Sequence, residues 1–514
     1  MSSEAVAPPR VTAAVVSTVT GPSLAFTATA VDRLTFNLNL SQISQGLHVP
    51  ASLIGFLGSA ATLVTAAAVL TVGNFGDIFG LKRLLTYGLI AYILVGLLTA
   101  LSPDYWFLLA MRFLDGLALA VPLGLALAVL KVSVPPQIRP AAIGIFMAIS
   151  TVLYGVSPLI GGWVTETFGW RWLFLIAPAL ALVALVLIDR YATAPPRHLK
   201  RRIDGIGVSL FGAALLGLVY GVGAAQNGLG RPQAWVPLAC SGVLGAAFVC
   251  HERRTRDPAL DLAMFARPAF AIAALAMLTS NFFTAGFGVV LGQFGSAVLS
   301  LPPQTIGLLY LPGSVLIASA SILAGRLVSR YSARPVLIMA LLVLVSSGLV
   351  MAITASPTMA VWVLVIATWL GNLGSFLVST PSSETILSSA PPGKTGAVAS
   401  AQQTFAMTGY ALGPTVYLLL LSLFFQRQWL ADAQSRGISA QQAQHAVDAV
   451  TSSMATSPGT SAYDPNLVQL VSGLNLPLDY THGLRLTMLV ITLVLLTVTV
   501  LTCFLMPRRP RTAP

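Results

Sequence analysis

Long apolar runs alternate with short polar segments along the whole chain. Each run is about 18 to 25 residues long, which is the length that an α-helix needs to cross the hydrocarbon core of a bilayer. The pattern predicts an all-α, polytopic membrane protein with fourteen transmembrane helices. The predicted spans are 14–40, 51–72, 84–102, 105–130, 140–163, 172–188, 205–225, 235–251, 269–292, 305–328, 335–353, 359–386, 398–424 and 484–506.

Lysine and arginine are concentrated on one side of the predicted membrane. Most of them lie in the tails and in the loops that follow even-numbered spans, with the densest group at 197–202. Because cytoplasmic loops carry an excess of basic residues, this bias indicates a cell-membrane protein with both termini in the cytoplasm. The formal net charge of +12 is scattered over short inner loops, which favours anionic membrane lipids over nucleic acid as the partner.

Neither signal cleavage nor disulfide bonding is expected. The first apolar run ends in Ala28, Thr29 and Ala30, as signal-peptidase sites do, but the run is long for a signal peptide and follows Glu4. All three cysteines lie within predicted spans, so the sequence predicts no disulfide framework.

The chain repeats part of its own pattern. Four positions after the second span recur at the same offsets after the tenth: Gly73, Asp77, Gly80 and Lys82 in the first copy, and Gly325, Ser329, Ser332 and Arg334 in the second. A glycine and proline kink signal also occurs in both the fifth and the thirteenth span. Internal repeats that flank a midplane cavity are typical of secondary transporters. We therefore expect two pseudo-symmetric six-helix bundles with two helices inserted between them.

This organisation divides the chain into bundles, loops and tails. The segments are a cytoplasmic N-tail 1–13, an N-terminal bundle 14–189, a basic cytoplasmic loop 190–204, the inserted pair 205–251, a cytoplasmic loop 252–268, a C-terminal bundle 269–506 and a basic tail 507–514. Within the last bundle, 425–483 is predicted to be an extracellular loop with a short helix beginning at Ser439. It would be either a lid over the outer vestibule or a plain connector.

The segment GNFGDIFGLKRLL, residues 73–85, is a polar island in this apolar chain. It resembles the loop between spans two and three of the major facilitator superfamily, Gly-x-Leu-x-Asp-Arg-x-Gly-Arg-Lys. Four residues match the family pattern, and both of its arginines are replaced. The matches are Gly73, Asp77, Gly80 and Lys82, and Ile78 and Leu81 stand where the family has arginine.

Three further motifs extend the resemblance over the chain. Arg112-x-x-Asp115-Gly116 is similar to the family's Arg-x-x-Gln-Gly in span four, and residues 155–162 resemble the antiporter signature Gly-x-x-Gly-Pro-x-x-Gly-Gly. Residues 32–40, DRLTFNLNL, resemble the first span of the fourteen-span drug and proton antiporters. The resemblance implies a proton-coupled exporter of drugs or other amphipathic molecules that works by alternating access, as a monomer, with the proton gradient in place of a cofactor.

The polar island is a candidate cytoplasmic gate. Asp77 is a fixed anion that could cap a neighbouring helix N-terminus or pair with a cytoplasmic arginine, and either contact would latch one arrangement of the bundles. Alternatively, its basic residues serve only the positive-inside bias. The candidate gate residues are Gly73, Asp77, Gly80, Lys82, Arg83, Arg330 and Arg334.

In the fifth span, small residues and a proline predict a bent, tightly packed helix. Gly155, Gly161 and Gly162 would let another backbone approach, and Pro158 interrupts the hydrogen-bond ladder. Such a helix could seal the interface between bundles against proton leak, or it could reflect ordinary helix packing.

Charges inside the predicted spans carry the mechanistic argument, because an ion in hydrocarbon normally faces a cavity or a partner. The proton-coupling candidates are Asp32, Arg112, Asp115 and Glu384. Arg112 and Asp115 are three residues apart and share a helix face, and Asp32 is predicted at a similar depth. Burial favours the neutral acid and a guanidinium favours the carboxylate, so Asp32 or Asp115 could exchange a proton against a substrate. A permanent structural ion pair is the alternative.

Uncharged polar and aromatic residues in the spans are candidates for lining the substrate pathway. They are Asn37, Asn281, Asn372, Gln402 and Tyr410. The amides could equally form interhelical hydrogen bonds, and the tyrosine could contact lipid.

Other function classes fit the residues less well. Gly393-Lys394-Thr395 resembles the end of a phosphate loop, but the first glycine of that pattern would fall at Ser388. The histidines are dispersed without metal-ligand spacing, so the sequence predicts no ATP-driven pump, catalytic residue or metal site. A symporter that imports a small molecule and a non-transporting receptor or lipid-binding scaffold stay open.

Overall fold

A computed structural model of the chain describes residues 13–38, 43, 46–47, 51–193, 204–225, 230–255, 258, 260–299, 319–320, 322–391, 394–435 and 476–507. The regular elements in these ranges are helices. They are α1 (Ala13–Leu38), α2 (Ala51–Phe79), α3 (Leu81–Ala100), α4 (Tyr105–Ser133), α5 (Arg139–Phe168), α6 (Ile176–Tyr191), α7 (Gly205–Ala225), α8 (Pro232–Arg254), α9 (Pro268–Ala297), α10 (322–331), α11 (Ala333–Thr354), α12 (Val361–Ser388), α13 (Thr395–Ser435) and α14 (Leu476–Leu505). Short 3-10 helices at Pro136–Ile138 and Trp170–Leu175 lead into α5 and α6, and a third, Leu262–Ala266, precedes α9.

The predicted all-α, polytopic class is confirmed. In the described part of the chain, eleven helices are long and apolar enough to cross a membrane. The predicted inserted pair corresponds to α7 and α8. Predicted span 305–328 lies largely outside the described residues, so the count of fourteen stays a prediction.

Helix packing falls into two groups. In the first, α1, α2 and α3 pack around α4, which is the most buried of the candidate spans. In the second, α9 and α14 pack on α13. Each group has its own apolar core, built around residues such as Leu123 in the first and Phe283 in the second. The hairpin of α7 and α8 rests on α2 and α13.

The two groups also contact each other. Helices α2 and α4 pack on α13, and α5 packs on α12. One close approach joins the last turns of α2 to the first turn of α13, where a Cβ atom on Gly73 would overlap the carbonyl oxygen of Gly396. These helix ends are the ones that the distribution of basic residues assigns to the cytoplasm.

The connection between α2 and α3 is shorter than predicted. Helix α2 continues to Phe79 and α3 begins at Leu81, so Gly80 alone makes the turn. Its φ of 97° lies in the left-handed region that glycine adopts without a Cβ clash. The prediction of a loop over 73–83 is therefore wrong, and Asp77 lies in the last turns of a helix.

Helix α13 is longer than its predicted span, 398–424. It continues to Ser435 because Phe425, Trp429 and Ala433 recur at four-residue spacing and are buried. Phe425 also contacts the ring of Tyr480, which lies on α14 in a helical stretch that begins at Leu476. The predicted loop 425–483 is thus helical at both ends, and the helix predicted to begin at Ser439 falls outside the described residues.

Candidate functional site

Three of the predicted intramembrane charges meet in the interior of the first helix group. One nitrogen of Arg112, Nη1, donates hydrogen bonds to Oδ2 of Asp115 at 2.5 Å and to Oδ2 of Asp32 at 3.0 Å. Arg112 and Asp115 are one turn apart on α4, and Asp32 reaches them from α1. In the structure Arg112 thus pairs directly with Asp115, and Asp32 is close enough to pair with the same nitrogen.

This charge cluster is almost fully buried. The exposed fractions are 1% for Arg112, 2% for Asp115 and 7% for Asp32. The guanidinium also lies over the ring of Phe36, with its carbon 4.1 Å from the ring centroid, so an aromatic face covers one side of the cation. Two carboxylates share one cation here, so the triad has a net negative charge when both acids are ionised. One added proton would make it neutral.

Tyr92 is a fourth member of the cluster that the sequence analysis missed. It lies on α3, is 1% exposed, and is close enough to interact electrostatically with Asp32, Asp115 and Arg112. Its side chain lies beside the carboxylate of Asp32. A tyrosine on an apolar helix gives no sequence signal of its own, because only the packing of α3 on α4 brings it here.

Glu384, the fourth proton-coupling candidate, lies elsewhere. It is near the end of α12, where its closest charged neighbours are Lys131, at the end of α4, and Arg139, at the start of α5. The ammonium group of Lys131 donates to the carbonyl oxygen of Leu387 on the same helix as Glu384. Glu384 therefore belongs to a second set of charges, where the two helix groups meet.

Asp77 bonds to a helix N-terminus, which is one of the two partners considered from the sequence. Its Oδ1 accepts from the backbone N–H of Gly396 at 2.7 Å and its Oδ2 from that of Ala397 at 2.9 Å. Both donors lie in the first turn of α13, where backbone N–H groups have no partner within the helix and the helix dipole favours an anion. Asp77 therefore links the first helix group to the second.

The two copies of the internal repeat also have similar backbone geometry. Gly325 on α10 packs against the carbonyl oxygen of Pro140 on α5, as Gly73 packs against Gly396. Ser332, at the position that corresponds to Gly80, has a φ of 86° and likewise precedes a helix.

The basic residues of the repeat also have equivalent partners. Lys82 donates to the carbonyl oxygen of Asp189 at 2.7 Å near the end of α6. Arg334 donates to the carbonyl oxygen of Cys503 near the end of α14. Each therefore binds the final helix of its own group. The other two gate candidates differ, because Arg83 is exposed and Arg330 lies against the ring of Tyr331.

The residues of the antiporter signature all lie within α5, which runs unbroken past Gly155 and Pro158. A Cβ atom on Gly161 would lie 3.1 Å from Cγ2 of Thr35, so this glycine does allow α5 to pack closely on α1. A Cβ atom on Gly162 would meet no atom within 4 Å. The close packing at Gly161 joins two helices of the same group.

The candidate pathway residues make separate contacts in the described part of the chain. Asn281 and Asn372 each donate to a carbonyl oxygen one turn back in their own helix, at 2.8 and 3.0 Å. Gln402 is buried and donates to Ser383 across α12 and α13, which is the interhelical alternative. Tyr410 is 43% exposed, and Asn37 lies near the end of α1.

No group of three or more histidine, cysteine, aspartate or glutamate residues in the described ranges could hold a metal ion. The contacts described above are ion pairs, helix ends and aromatic rings.

Comparisons with known proteins identify the family that this chain resembles. Residues 23–414 match the family model described as Major Facilitator Superfamily. The chain is 28% identical over 400 residues to the multidrug efflux pump LfrA of Mycolicibacterium smegmatis, covering 77% of this chain and 79% of that one. It is 30% identical over 400 residues to the multidrug resistance protein Stp of Mycobacterium tuberculosis, covering 76% and 74%. The structure of the proton:xylose symporter XylE aligns with a TM-score of 0.55 at 14% identity, over 94% of this chain and 95% of XylE.

Proposed function

The chain belongs to the major facilitator superfamily of membrane transporters, and on this premise we propose that it is a proton-coupled exporter of drugs or other amphipathic small molecules. It is a multi-pass membrane transporter with a small-molecule substrate, and not an enzyme. The names of LfrA and Stp, an efflux pump and a resistance protein, support export of drug-like compounds. Members of the family generally need no cofactor, and a proton gradient would supply the energy here.

The buried triad of Asp32, Arg112 and Asp115 is the observation that carries the proposal. An ionisable group in a membrane interior is costly and marks a functional site by default. When Asp32 takes up a proton, its bond to the guanidinium weakens, and α1 is then held less firmly to α4. Asp32 is the better candidate carrier, because its bond to Arg112 is longer than that of Asp115 and it alone comes from a different helix.

The link between Asp77 and α13 supports alternating access. It closes the predicted cytoplasmic side by joining a helix of 14–189 to a helix of 269–506, the two proposed bundles. The buried hydroxyl of Ser400, which lies beside Gly73 near this contact, has no hydrogen-bond partner in the described structure. Buried polar groups normally find a partner, so water reaching this hydroxyl when this side opens would satisfy it. We also propose that the protein lies in the cell membrane with both termini in the cytoplasm, and that it works as a monomer.

Purified protein in proteoliposomes tests the function directly. With an acidic lumen, an antiporter accumulates substrate as protons leave, whereas the alternative, a proton symporter, accumulates substrate only when the exterior is acidic. A panel of neutral, cationic and anionic drug-like compounds covers the substrate. A non-transporting scaffold would accumulate none of them under either gradient.

Three variants test the coupling. We expect Asp32→Asn, Arg112→Ala and Asp115→Asn to lose gradient-driven accumulation, and Asp32→Asn to keep exchange of labelled for unlabelled substrate. Glu166→Gln, which changes an exposed carboxylate at the end of α5, is the matched control and should transport normally. Full gradient-driven flux in all three variants would refute the role of the triad.

A further inference from the structure

Arg33 is an intramembrane charge on α1 that is not part of the triad. It follows Asp32 in α1, so its side chain projects about 100° further around the helix. Its Nη1 lies 3.2 Å from the sulfur of Met407 on α13. None of the ion pairs between described residues includes Arg33. A guanidinium with five N–H donors therefore faces a thioether, which is a weak acceptor.

This contact lies deep in the molecule. Met407 is twelve residues after Thr395, which is about 18 Å along α13 from its first residue at 1.5 Å per residue. Arg33 is only partly buried and belongs to the first helix group, whereas Met407 belongs to the second. The guanidinium therefore lies between the groups at mid-depth, which rules out simple snorkelling of Arg33 to the membrane surface.

The acids of the neighbouring triad are less accessible to a ligand than the guanidinium of Arg33. Asp32 and Asp115 both bond to Arg112 and are almost fully buried within the first group. A cationic ligand would have to displace Arg112 from both carboxylates to reach them. Of the charges on α1 at this depth, the one that is partly accessible is thus the Arg33 guanidinium.

The α13 face beside Arg33 suits an apolar or aromatic body. Tyr410 lies three residues after Met407, which places both side chains on one face of the helix. Tyr410 is 43% exposed. A thioether and a phenol ring make favourable contacts with aromatic groups. An acceptor group on Arg33 and an aromatic body on Met407 and Tyr410 would together fill this face.

We infer that the substrate is an amphipathic anion, an aromatic or otherwise apolar molecule whose carboxylate or sulfonate binds the Arg33 guanidinium between α1 and α13. The inference rests on the proposed transport function, because it assigns the chemical class of that substrate. Charge-assisted bonds from arginine to a carboxylate are short and strong and are often bidentate. Arg33 then determines specificity, while the triad handles the proton.

Three ligands with one ring system test the inference by binding. They are 1-naphthaleneacetate, 1-naphthaleneacetamide and (1-naphthylmethyl)trimethylammonium, measured by equilibrium dialysis against the full chain in lipid nanodiscs, with empty nanodiscs as background. We expect the wild type to bind the acid most tightly. Arg33→Gln should weaken binding of the acid about tenfold or more, since it removes a charge-assisted bond. It should leave binding of the amide unchanged, and Arg33→Lys should keep most of the affinity for the acid.

Two results would overturn the inference: a wild type that does not prefer the acid, or an Arg33→Gln variant in which all three ligands weaken equally. The wild-type comparison needs no variant, so poor folding of Arg33→Gln cannot hide the answer. The proposed transport function is refuted by different outcomes from those that refute the anion assignment. Anion preference without gradient-driven flux would refute transport alone, and gradient-driven flux of the ammonium compound, independent of Arg33, would refute only the anion assignment.

Discussion

At the scale of single residues, one nitrogen atom holds the candidate site together. Nη1 of Arg112 serves both Asp32 and Asp115, so the loss of the guanidinium would leave two acids buried without their cation. The sequence predicted this triad from the cost of charge in hydrocarbon and from the three-residue spacing on α4. It could not predict Tyr92 or the partner of Arg33, because both depend on how α3 and α13 pack.

Removing Arg112 should therefore destabilise the protein unless an acid is removed with it. We expect Arg112→Gln to cost about 3 to 5 kcal/mol in the free energy of unfolding, the range for breaking a buried ion pair. The double variant Arg112→Gln with Asp115→Asn should recover part of this loss. Unfolding in mixed micelles measures both, and Arg83→Gln, at an exposed position, is the control. A double variant less stable than the single one would contradict the shared-cation model.

At the scale of elements, glycines decide where helices of different groups touch. The recurrence of Gly73, Asp77 and Gly80 at the offsets of Gly325, Ser329 and Ser332 predicted two equivalent turns, and the backbone angles at Gly80 and Ser332 agree. The sequence did not predict that the turn at Gly80 is a single residue. In the sequence, an apolar run followed by a polar segment predicts a helix followed by a loop. In the structure, Asp77 is still helical because α13 supplies its hydrogen-bond partners.

Gly73→Ala should push α2 and α13 apart. The new Cβ would overlap the carbonyl oxygen of Gly396, and overpacking of this kind costs about 1 to 3 kcal/mol. The population should shift toward an arrangement open at this side. Spin labels at Phe79 and Ser388, exposed residues near the ends of α2 and α12, would report a longer mean distance. Gly162→Ala, where a Cβ meets nothing within 4 Å, should leave the distance unchanged, and the same distance in both variants would show that Gly73 is not a critical contact.

At the scale of the whole molecule, the two helix groups are apposed at the predicted cytoplasmic ends. The class of fold was predictable, because composition and span length fix it. The apposition was not, since it depends on contacts between residues about 320 positions apart in the chain, such as Asp77 with Ala397. Single-sequence periodicity carries no information on such pairs.

If Asp77 keeps this side closed, its neutralisation should open it. Ser400 is fully buried where α2 and α4 meet α13, so Ser400→Cys should react slowly with a membrane-impermeant maleimide in a background that lacks the native cysteines. Adding Asp77→Asn weakens charged hydrogen bonds worth about 1.5 to 3 kcal/mol and should raise the labelling rate about tenfold. A cysteine at exposed Ser388 should label equally in both backgrounds. An unchanged rate at Ser400 would mean that Asp77 does not control the opening.

The turn at Gly80 is a very short connection between two long helices. Because α2 and α3 are joined through one residue, a tilt of α2 away from α13 must be passed to α3, and α3 carries Tyr92. We expect the phenol hydroxyl to shift against Asp32 whenever the inner side parts. The movement that opens the inner side would then also change how readily Asp32 holds a hydrogen ion. No chain of charged residues between Asp77 and Asp32 would be needed.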